Sequence, residues 1–407
     1  MTSLITTLLA FIIVVFIVNI TKATWIAMMV GSFVAALGTG LSFEAAFKIA
    51  LNVLQNPSTL SLIVTVVLIK SLGNIMEKAG LIYKMVSSLQ SAIKNPRIIV
   101  AVIPVLLGLL PIPGGAYMSA PLIEKAGRKI QLTGSNLVAA NIIFRHIVYF
   151  VFPLYPTLIL LQSFTGISVY KVISFCFAPM LVCAILGFLV ILPQGLNVTD
   201  KIEGSSADDW KEFLKASFPI TLLVVSAIIS NNFLFAAVVA VITSLVLSQR
   251  LFSTSSIKRN LIDSLKELDW KLALTVLGIL FFQKYIEAAG ALTYMAGILT
   301  NQGVHLNVLL LVVSFVTGLL TGSTLGAVGI GLSIFVPLFS NHSNLVVVVS
   351  LLYLFTMIGY FVSPLHLCLI LTQDYFKGNL KRVYQLMAVP LFGLLFTGLI
   401  LGLLLGF

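Results

Sequence analysis

Two stretches of this chain, about 210 positions apart, carry the same residues in the same register. Ile69, Glu77, Ala79, Gly80, Met85 and Leu89 correspond to Ile279, Glu287, Ala289, Gly290, Met295 and Leu299, and Gly108, Leu109 and Leu110 correspond to Gly318, Leu319 and Leu320. One residue further out of step, Pro153, Leu154, Leu158, Ile159, Leu160 and Gln162 match Pro364, Leu365, Leu369, Ile370, Leu371 and Gln373. Chance rarely keeps one register through three separated blocks. The chain therefore divides into related halves, residues 1–193 and 216–407, joined by the polar segment 194–215. Proteins built from two such halves in a bilayer place a substrate site where the halves meet, at helices interrupted at mid-membrane depth.

The bilayer follows from composition, since 59% hydrophobic and only 9% charged residues cannot be arranged as a water-soluble globule. A crossing helix needs roughly 20 mostly apolar residues. Stretches of this kind fall at 4–20, 23–40, 58–77, 135–165, 169–193, 216–231, 233–249, 270–290, 345–373 and 383–407. The first lacks a basic leader and a small-residue cleavage site, so it is expected to be retained as a span. The net charge of +11 does not imply a nucleic-acid partner, because the basic residues lie in short loops between spans. Such residues mark cytoplasmic loops. Lys78, Lys84, Lys94 and Arg97 mark one loop, Arg250 through Lys271 a second, and Lys377, Lys381 and Arg382 a third, which places both termini outside.

Two segments read differently from a plain span. Residues 97–125 have Lys94 and Arg97 at one end and Lys125, Arg128 and Lys129 at the other, so a single crossing would put one basic cluster outside. The charges are met if the segment enters from the cytoplasm, turns at Pro111-Ile112-Pro113-Gly114-Gly115, and returns. Its counterpart, 304–340, turns near Thr321-Gly322-Ser323-Thr324 between uncharged flanks and is expected to enter from outside. The fold class expected is an all-α polytopic membrane protein of two inverted repeats, each of about five transmembrane helices plus one re-entrant hairpin. A proline or glycine turn inside a bilayer frees backbone groups that lipid cannot satisfy, and these must face protein, water or ligand. Half-helix N-termini suit an anion, and freed carbonyls suit a small cation.

Asn141, Arg145 and His146 lie well inside the span 135–165, just before Pro153 and Pro156 interrupt it. An arginine at the bilayer centre costs about 2.5–3.5 kcal/mol on insertion scales and normally faces a cavity or a partner. The alternative is a side chain that snorkels to the cytoplasmic boundary. Asn141 and Arg145 are four apart and share a helical face, whereas His146 is turned away and reads equally as a helix–helix hydrogen bonder. No acidic residue lies deep in a span, so Arg145 lacks an intramembrane carboxylate partner, and an anionic substrate would supply the missing charge. The same absence argues against a proton or sodium antiporter using an intramembrane carboxylate. Lys70, Asn74 and Lys284 are further polar positions in apolar helices, and pairing of Lys70 or Lys284 with Glu77 or Glu287 is expected to brace a scaffold. Cys176, Cys183 and Cys368 show no metal-ligand spacing and read as packing residues. Amphipathic surface helices are expected at 43–55 and 254–268, and a short one near Ser206–Asp209.

The Leu110–Gly115 motif, the Asn141–His146 stretch and Ser363-Pro364-Leu365-His366-Leu367-Cys368-Leu369 resemble the prokaryotic membrane family known as domain-of-unknown-function family 401. The wider arrangement, a hairpin followed by a proline-broken helix in each half, resembles the ion transporter superfamily of gluconate, citrate and dicarboxylate permeases and arsenite and sodium/proton antiporters. The resemblance spans essentially the whole chain. It implies an elevator-type carrier, often a homodimer, in a prokaryotic cytoplasmic membrane. The Ser-Asn-Thr hairpin tips of the dicarboxylate members are absent, so neither substrate identity nor sodium coupling carries over. The expected function is a secondary active transporter, a permease moving a small anion such as an organic carboxylate, coupled to sodium or protons, without a cofactor. The substrate-binding residues expected are Pro113, Gly114, Gly115, Asn141, Arg145, Gly322, Ser323, Thr324, Ser363 and His366. Gly114, Ser323 and Thr324 are the positions expected for a coupling ion such as sodium, with no other metal. The alternative is a cation/proton antiporter. A membrane-embedded enzyme is more remote, because His146, His305, His342 and His366 are scattered without an acid cluster.

Overall fold

The structure is a computed structural model that describes residues 2–21, 23–38, 40–93, 95–110, 115–192, 207–251, 269–288, 305–339 and 344–407. The described elements are helical. The first half contains α1 (Thr2–Thr21), α2 (Thr24–Gly38), α3 (Phe43–Gln55), α4 (Pro57–Lys78), α5 (Leu81–Ala92), α6 (Pro96–Gly108), α7 (Gly115–Lys129), α8 (Gly134–Ile147), a 3-10 turn at Val148–Phe150, α9 (Pro156–Thr165) and α10 (Val169–Ile191). The second contains α11 (Ala207–Ser230), α12 (Phe233–Leu251), α13 (Trp270–Ala288), α14 (Leu306–Thr321), α15 (Thr324–Leu338), α16 (Leu345–Val362), α17 (Leu367–Phe376) and α18 (Leu380–Leu404).

Local chemistry sets the boundaries. Pro57 opens α4 and Pro96 opens α6 at positions where a missing N–H costs nothing, and Asn56 and Asn95 cap them by accepting from the amides of Ser58 (2.8 Å) and Arg97 (2.9 Å). Gly80, at a φ of +66°, turns the chain from α4 into α5 through the left-handed region that glycine enters without a Cβ penalty. Helices long and apolar enough to cross a membrane include α4, α10, the α11 segment Asp208–Ser230 and α18, and α16 with α17 forms a continuous apolar stretch of 32 residues. The protein is a membrane protein.

The segments expected as re-entrant hairpins are built from shorter helices, and the turn expected at 111–114 lies outside the described residues. Helices α6, α14 and α15 have 13, 16 and 15 residues, so at about 1.5 Å per residue they fall short of the roughly 30 Å hydrocarbon thickness. Helix α6 packs on α7 and α8, and α14 packs on α15 and α16. The contact is closest at the repeat-related glycines. A Cβ on Gly108 would lie 2.1 Å from the Arg145 carbonyl oxygen, and one on Gly318 would lie 2.1 Å from the Thr356 carbonyl oxygen. Each return helix also packs on the broken helix of the other half, α7 against α17 and α15 against α9. These contacts join the first and second parts of the chain.

Three expectations change. Residues 81–92, read as part of a basic loop, form α5, whose apolar Leu81, Ile82, Met85, Val86 and Leu89 bury against α11 and neighbouring helices. Residues 207–215, expected as a separate surface helix, are the first turns of a continuous α11. Lys70 pairs with Asp269 at the start of α13 instead of with Glu77, because that carboxylate faces it across the α4–α13 contact. The Lys284–Glu287 pair forms as expected, at 2.8 Å, and α3 occupies 43–55 as read. The expected helix at 254–268 lies outside the described residues.

Candidate functional site

Both proline-broken spans are interrupted where the sequence placed the breaks. After α8 the chain passes through the 3-10 turn and an irregular stretch containing Pro153 before α9 starts at Pro156, and after α16 it breaks at Ser363–His366 before α17. The break in the second half is tied to its own hairpin. The Ser363 hydroxyl donates to the Leu319 carbonyl at 2.6 Å and accepts from the Leu365 amide at 3.2 Å, and Gly322 closes α14 at a φ of +57° against the Leu365 backbone. Ser323 caps α15, its hydroxyl accepting from the Gly326 amide at 3.4 Å. The hydroxyls of Ser363 and Ser323 are thus engaged in building the break and the hairpin.

Around these breaks lies a sequestered polar group. Arg145 is 2% exposed, so its guanidinium is buried in protein and does not snorkel to a boundary. It lies against the backbone of Gly115, the first residue of α7, where a Cβ would come within 2.3 Å of Nη2. Its Nε and Nη1 have no hydrogen-bond partner, and no described acidic side chain pairs with it. One turn earlier on the same helical face, Asn141 is fully occupied. It donates to the Ala116 carbonyl (2.9 Å) and the Thr372 hydroxyl (3.0 Å), and it accepts from Ser119 (2.6 Å). Asn141 fastens α7 and α17 to α8 and holds Gly115 beside Arg145.

His146 and His366 meet across the halves with their Nε2 atoms 3.1 Å apart. His146 Nδ1 donates to the Ile142 carbonyl at 2.6 Å, which leaves Nε2 of the neutral ring as acceptor and assigns the donor role to His366 Nε2. His366 Nδ1 is buried without a partner. Tyr149 stacks on Tyr155 at 4.0 Å, and the Tyr155 hydroxyl hydrogen-bonds the Thr324 hydroxyl at 2.8 Å. Thr157 also donates to Thr324, at 3.3 Å. One connected cluster therefore runs from Gly115 through Arg145, the histidine pair and the tyrosines to Thr324. It includes the first residues or caps of four helices, namely α7 at Gly115, α9 at Tyr155, α15 at Thr324 and α17 at His366.

Helix N-termini each carry roughly half a positive charge. A guanidinium placed among them without a carboxylate among the described residues is electrostatically incomplete, and leaving a buried charge unpaired costs several kcal/mol, of the order of 3–5. The arrangement is complementary to an anion. As a metal site the same region is less suited. His146, His366 and Cys368 each bring a ligand atom within 4.8 Å of the others, a donor set that a zinc-like cation accepts, but the histidine nitrogens already bond one another and Arg145 lies beside them.

Of the residues singled out in the sequence, Gly115, Asn141, Arg145, Thr324 and His366 come together, whereas Pro113 and Gly114 lie outside the described residues. Tyr149, Tyr360, Ser119, Thr372 and Cys368 belong to the cluster without having been expected there. The signal that could have found Tyr149 is its place four residues after Arg145 on the same helical face.

Residues 2–405 match the family described as "Protein of unknown function (DUF401)". The chain belongs to that family. No curated protein matches it. Among solved structures it is similar to the YdaH transporter of Alcanivorax borkumensis, whose crystal structure is described as having an unusual topology. The TM-score is 0.61 at 16% identity, over 90% of each chain. At that identity the likeness establishes a common fold.

Proposed function

We propose that this DUF401 protein is a secondary active transporter that carries a small anion, an organic carboxylate in the first instance, across a prokaryotic cytoplasmic membrane. The observation that carries the reading is Arg145, buried with two unpartnered nitrogens against the N-terminus of α7 and without an acidic partner among the described residues. An anion bound there would complete two hydrogen bonds and neutralise an otherwise uncompensated charge. The shared fold with a protein named as a transporter supports the class. The packing of α7 on α17 and of α15 on α9, and the matching close approaches of Gly108 and Gly318, support two inverted repeats with re-entrant hairpins and an elevator-type movement of the hairpin-bearing part against α4, α5, α11 and α12. In this reading Gly115, Arg145, Thr324 and His366 contact substrate, Asn141 positions the hairpin, and Pro113, Gly114 and Gly322 shape the tips. Sodium or protons drive the cycle, with Gly114, Ser323 and Thr324 nearest a sodium ion. The carrier is a homodimer with both termini outside.

A second reading, a cation/proton antiporter, draws on the His146–His366–Cys368 cluster. The two are separated by thermal stability of the detergent-purified protein against small carboxylates, oxyanions and sodium or lithium salts. Stabilisation by an anion as its choline salt, lost in Arg145→Gln, is the outcome expected. Stabilisation by sodium or lithium chloride alone, unchanged in that variant, would replace the anion carrier with the antiporter.

A further inference from the structure

Beyond the Arg145 cluster, a second polar space of about 580 Å³ lies between the start of α4, the end of α9 and the turn from α11 to α12. Ser58, Ser61 and Thr65 line it from α4. Spaced three and four residues apart, they form one stripe that descends two turns into an apolar helix. Hydroxyls in the apolar helices repeatedly return to the carbonyl four residues earlier, as those of Ser32, Ser71, Thr243 and Thr356 do. The hydroxyls of Ser61, Thr65 and, across the space, Ser163 do not, and no described residue takes a hydrogen bond from them. Two carboxamides of the lining are oriented by their oxygens. Gln162 accepts from the Val169 amide at 2.8 Å and Asn232 from the Phe235 amide at 3.0 Å, which leaves both side-chain nitrogens as donors without an acceptor among the described residues. The lining contains no charged side chain. It is an uncharged, donor-rich surface, suited to the oxygens of a hydrated anion but without a fixed charge to retain one.

The inner end of this space approaches the candidate site. Thr65 and Ile159 are the lining residues furthest from the ends of α4 and α9, and these helices pack on one another. The Ile159 amide donates to the Tyr155 carbonyl at 3.2 Å, and the Tyr155 hydroxyl bonds Thr324. One helical turn, about 5.4 Å of rise, therefore separates the lining at Ile159 from the Tyr155–Thr324 bond. The basic loops place the outer ends of these helices on the outer face. We propose that this space is the outer entry site of the carrier, where a small hydrated anion meets the hydroxyl and amide donors of α4, α9 and the α11–α12 turn before it reaches Thr324 and Arg145. The inference rests on the anion-carrier reading and adds to it a route and the residues that line it. In that reading α4 and α12 belong to the part that stays still, so movement of α9 against them opens the passage at Ile159.

The test uses the full-length protein and two small membrane-impermeant thiol reagents, sulfonatoethyl and trimethylammonioethyl methanethiosulfonate, added to intact cells. In a cysteine-free background Thr65→Cys is expected to react with both from outside. Leu72→Cys, two turns deeper on the same face and fully buried, is expected to react with neither. Gln162→Glu keeps an oxygen for the Val169 amide and places a carboxylate in the lining. It should slow the sulfonate reagent relative to the cationic one at Thr65→Cys by about tenfold in low-salt medium, and by less at high salt. In proteoliposomes, currents evoked by acetate, lactate or succinate should be lost when Thr65→Cys is modified and return when the reagent is removed by reduction. The route is overturned if Thr65→Cys is unreactive from outside, if Gln162→Glu leaves the ratio of the two reagents unchanged, or if the currents survive modification. No current from any of the three anions in the unmodified protein, with Thr65→Cys still labelled, would instead overturn the carrier reading and the route with it, so the two failures are told apart.

Discussion

Two glycines approach Arg145, and they separate a binding effect from a folding effect. A methyl at Gly115 would press on the mobile end of the guanidinium, 2.3 Å from Nη2, which can move. Gly115→Ala is therefore expected to fold with nearly native Tm while losing most of the anion-induced stabilisation, measured by the same thermal assay. A methyl at Gly108 meets the Arg145 carbonyl oxygen at 2.1 Å, which is backbone and cannot step aside. Gly108→Ala should cost about 1–3 kcal/mol by overpacking and lower the Tm with or without anion. Much of this site could be read in the sequence. The depth of Arg145, its spacing from Asn141 and the shortage of deep acidic residues were all visible. What a linear pattern does not show is occupancy: Asn141, Ser323 and Ser363 look like free polar groups until their hydrogen bonds are known, and His146 looks turned away until His366 arrives from the other half.

At the scale of elements, the breaks before α9 and α17 were legible because proline leaves a strong mark, and α3 was legible from its amphipathic spacing. Helix α5 was missed because Lys78, Lys84 and Lys94 dominate a topological reading, although Met85 and Leu89 are a helical turn apart and both buried. The start of α11 was misplaced for a related reason. Asp208, Asp209 and Glu212 look like a surface helix, yet acidic residues also suit the first turn of a long helix through its dipole. The contact between the first break and α15 includes two hydroxyl pairs, of which Tyr155 to Thr324 is the shorter and Thr157 to Thr324 the longer. Tyr155→Phe should cost about 1 kcal/mol of stability, seen as a Tm decrease, with the ring stacking on Tyr149 preserved. An unchanged Tm would mean that packing and the Thr157–Thr324 bond hold the α9–α15 contact without the tyrosine hydroxyl.

At the scale of the molecule, the correspondence at about 210 positions is legible in the sequence, whereas the packing of α7 on α17 and of α15 on α9 joins elements far apart in the chain. A polar cavity of about 580 Å³ lies between the start of α4, the end of α9 and the α11–α12 turn, lined by Ser58, Ser61, Thr65, Gln162, Ser163 and Asn232 among others. The topology read from the basic loops puts these helix ends on the outer face, at the far end of α9 from Tyr155. Ser163→Cys in a cysteine-free background should then react with a membrane-impermeant maleimide added to intact cells, and reaction only after permeabilisation would invert the topology. The central claim is that an anion completes Arg145 and is carried. The most direct measurement is the charge displacement recorded on solid-supported membranes when proteoliposomes meet a concentration jump of the stabilising anion. A transient current is expected in the wild type and none in Arg145→Gln; an equal current in both, or a current evoked only by sodium or lithium, would show that Arg145 does not carry an anion.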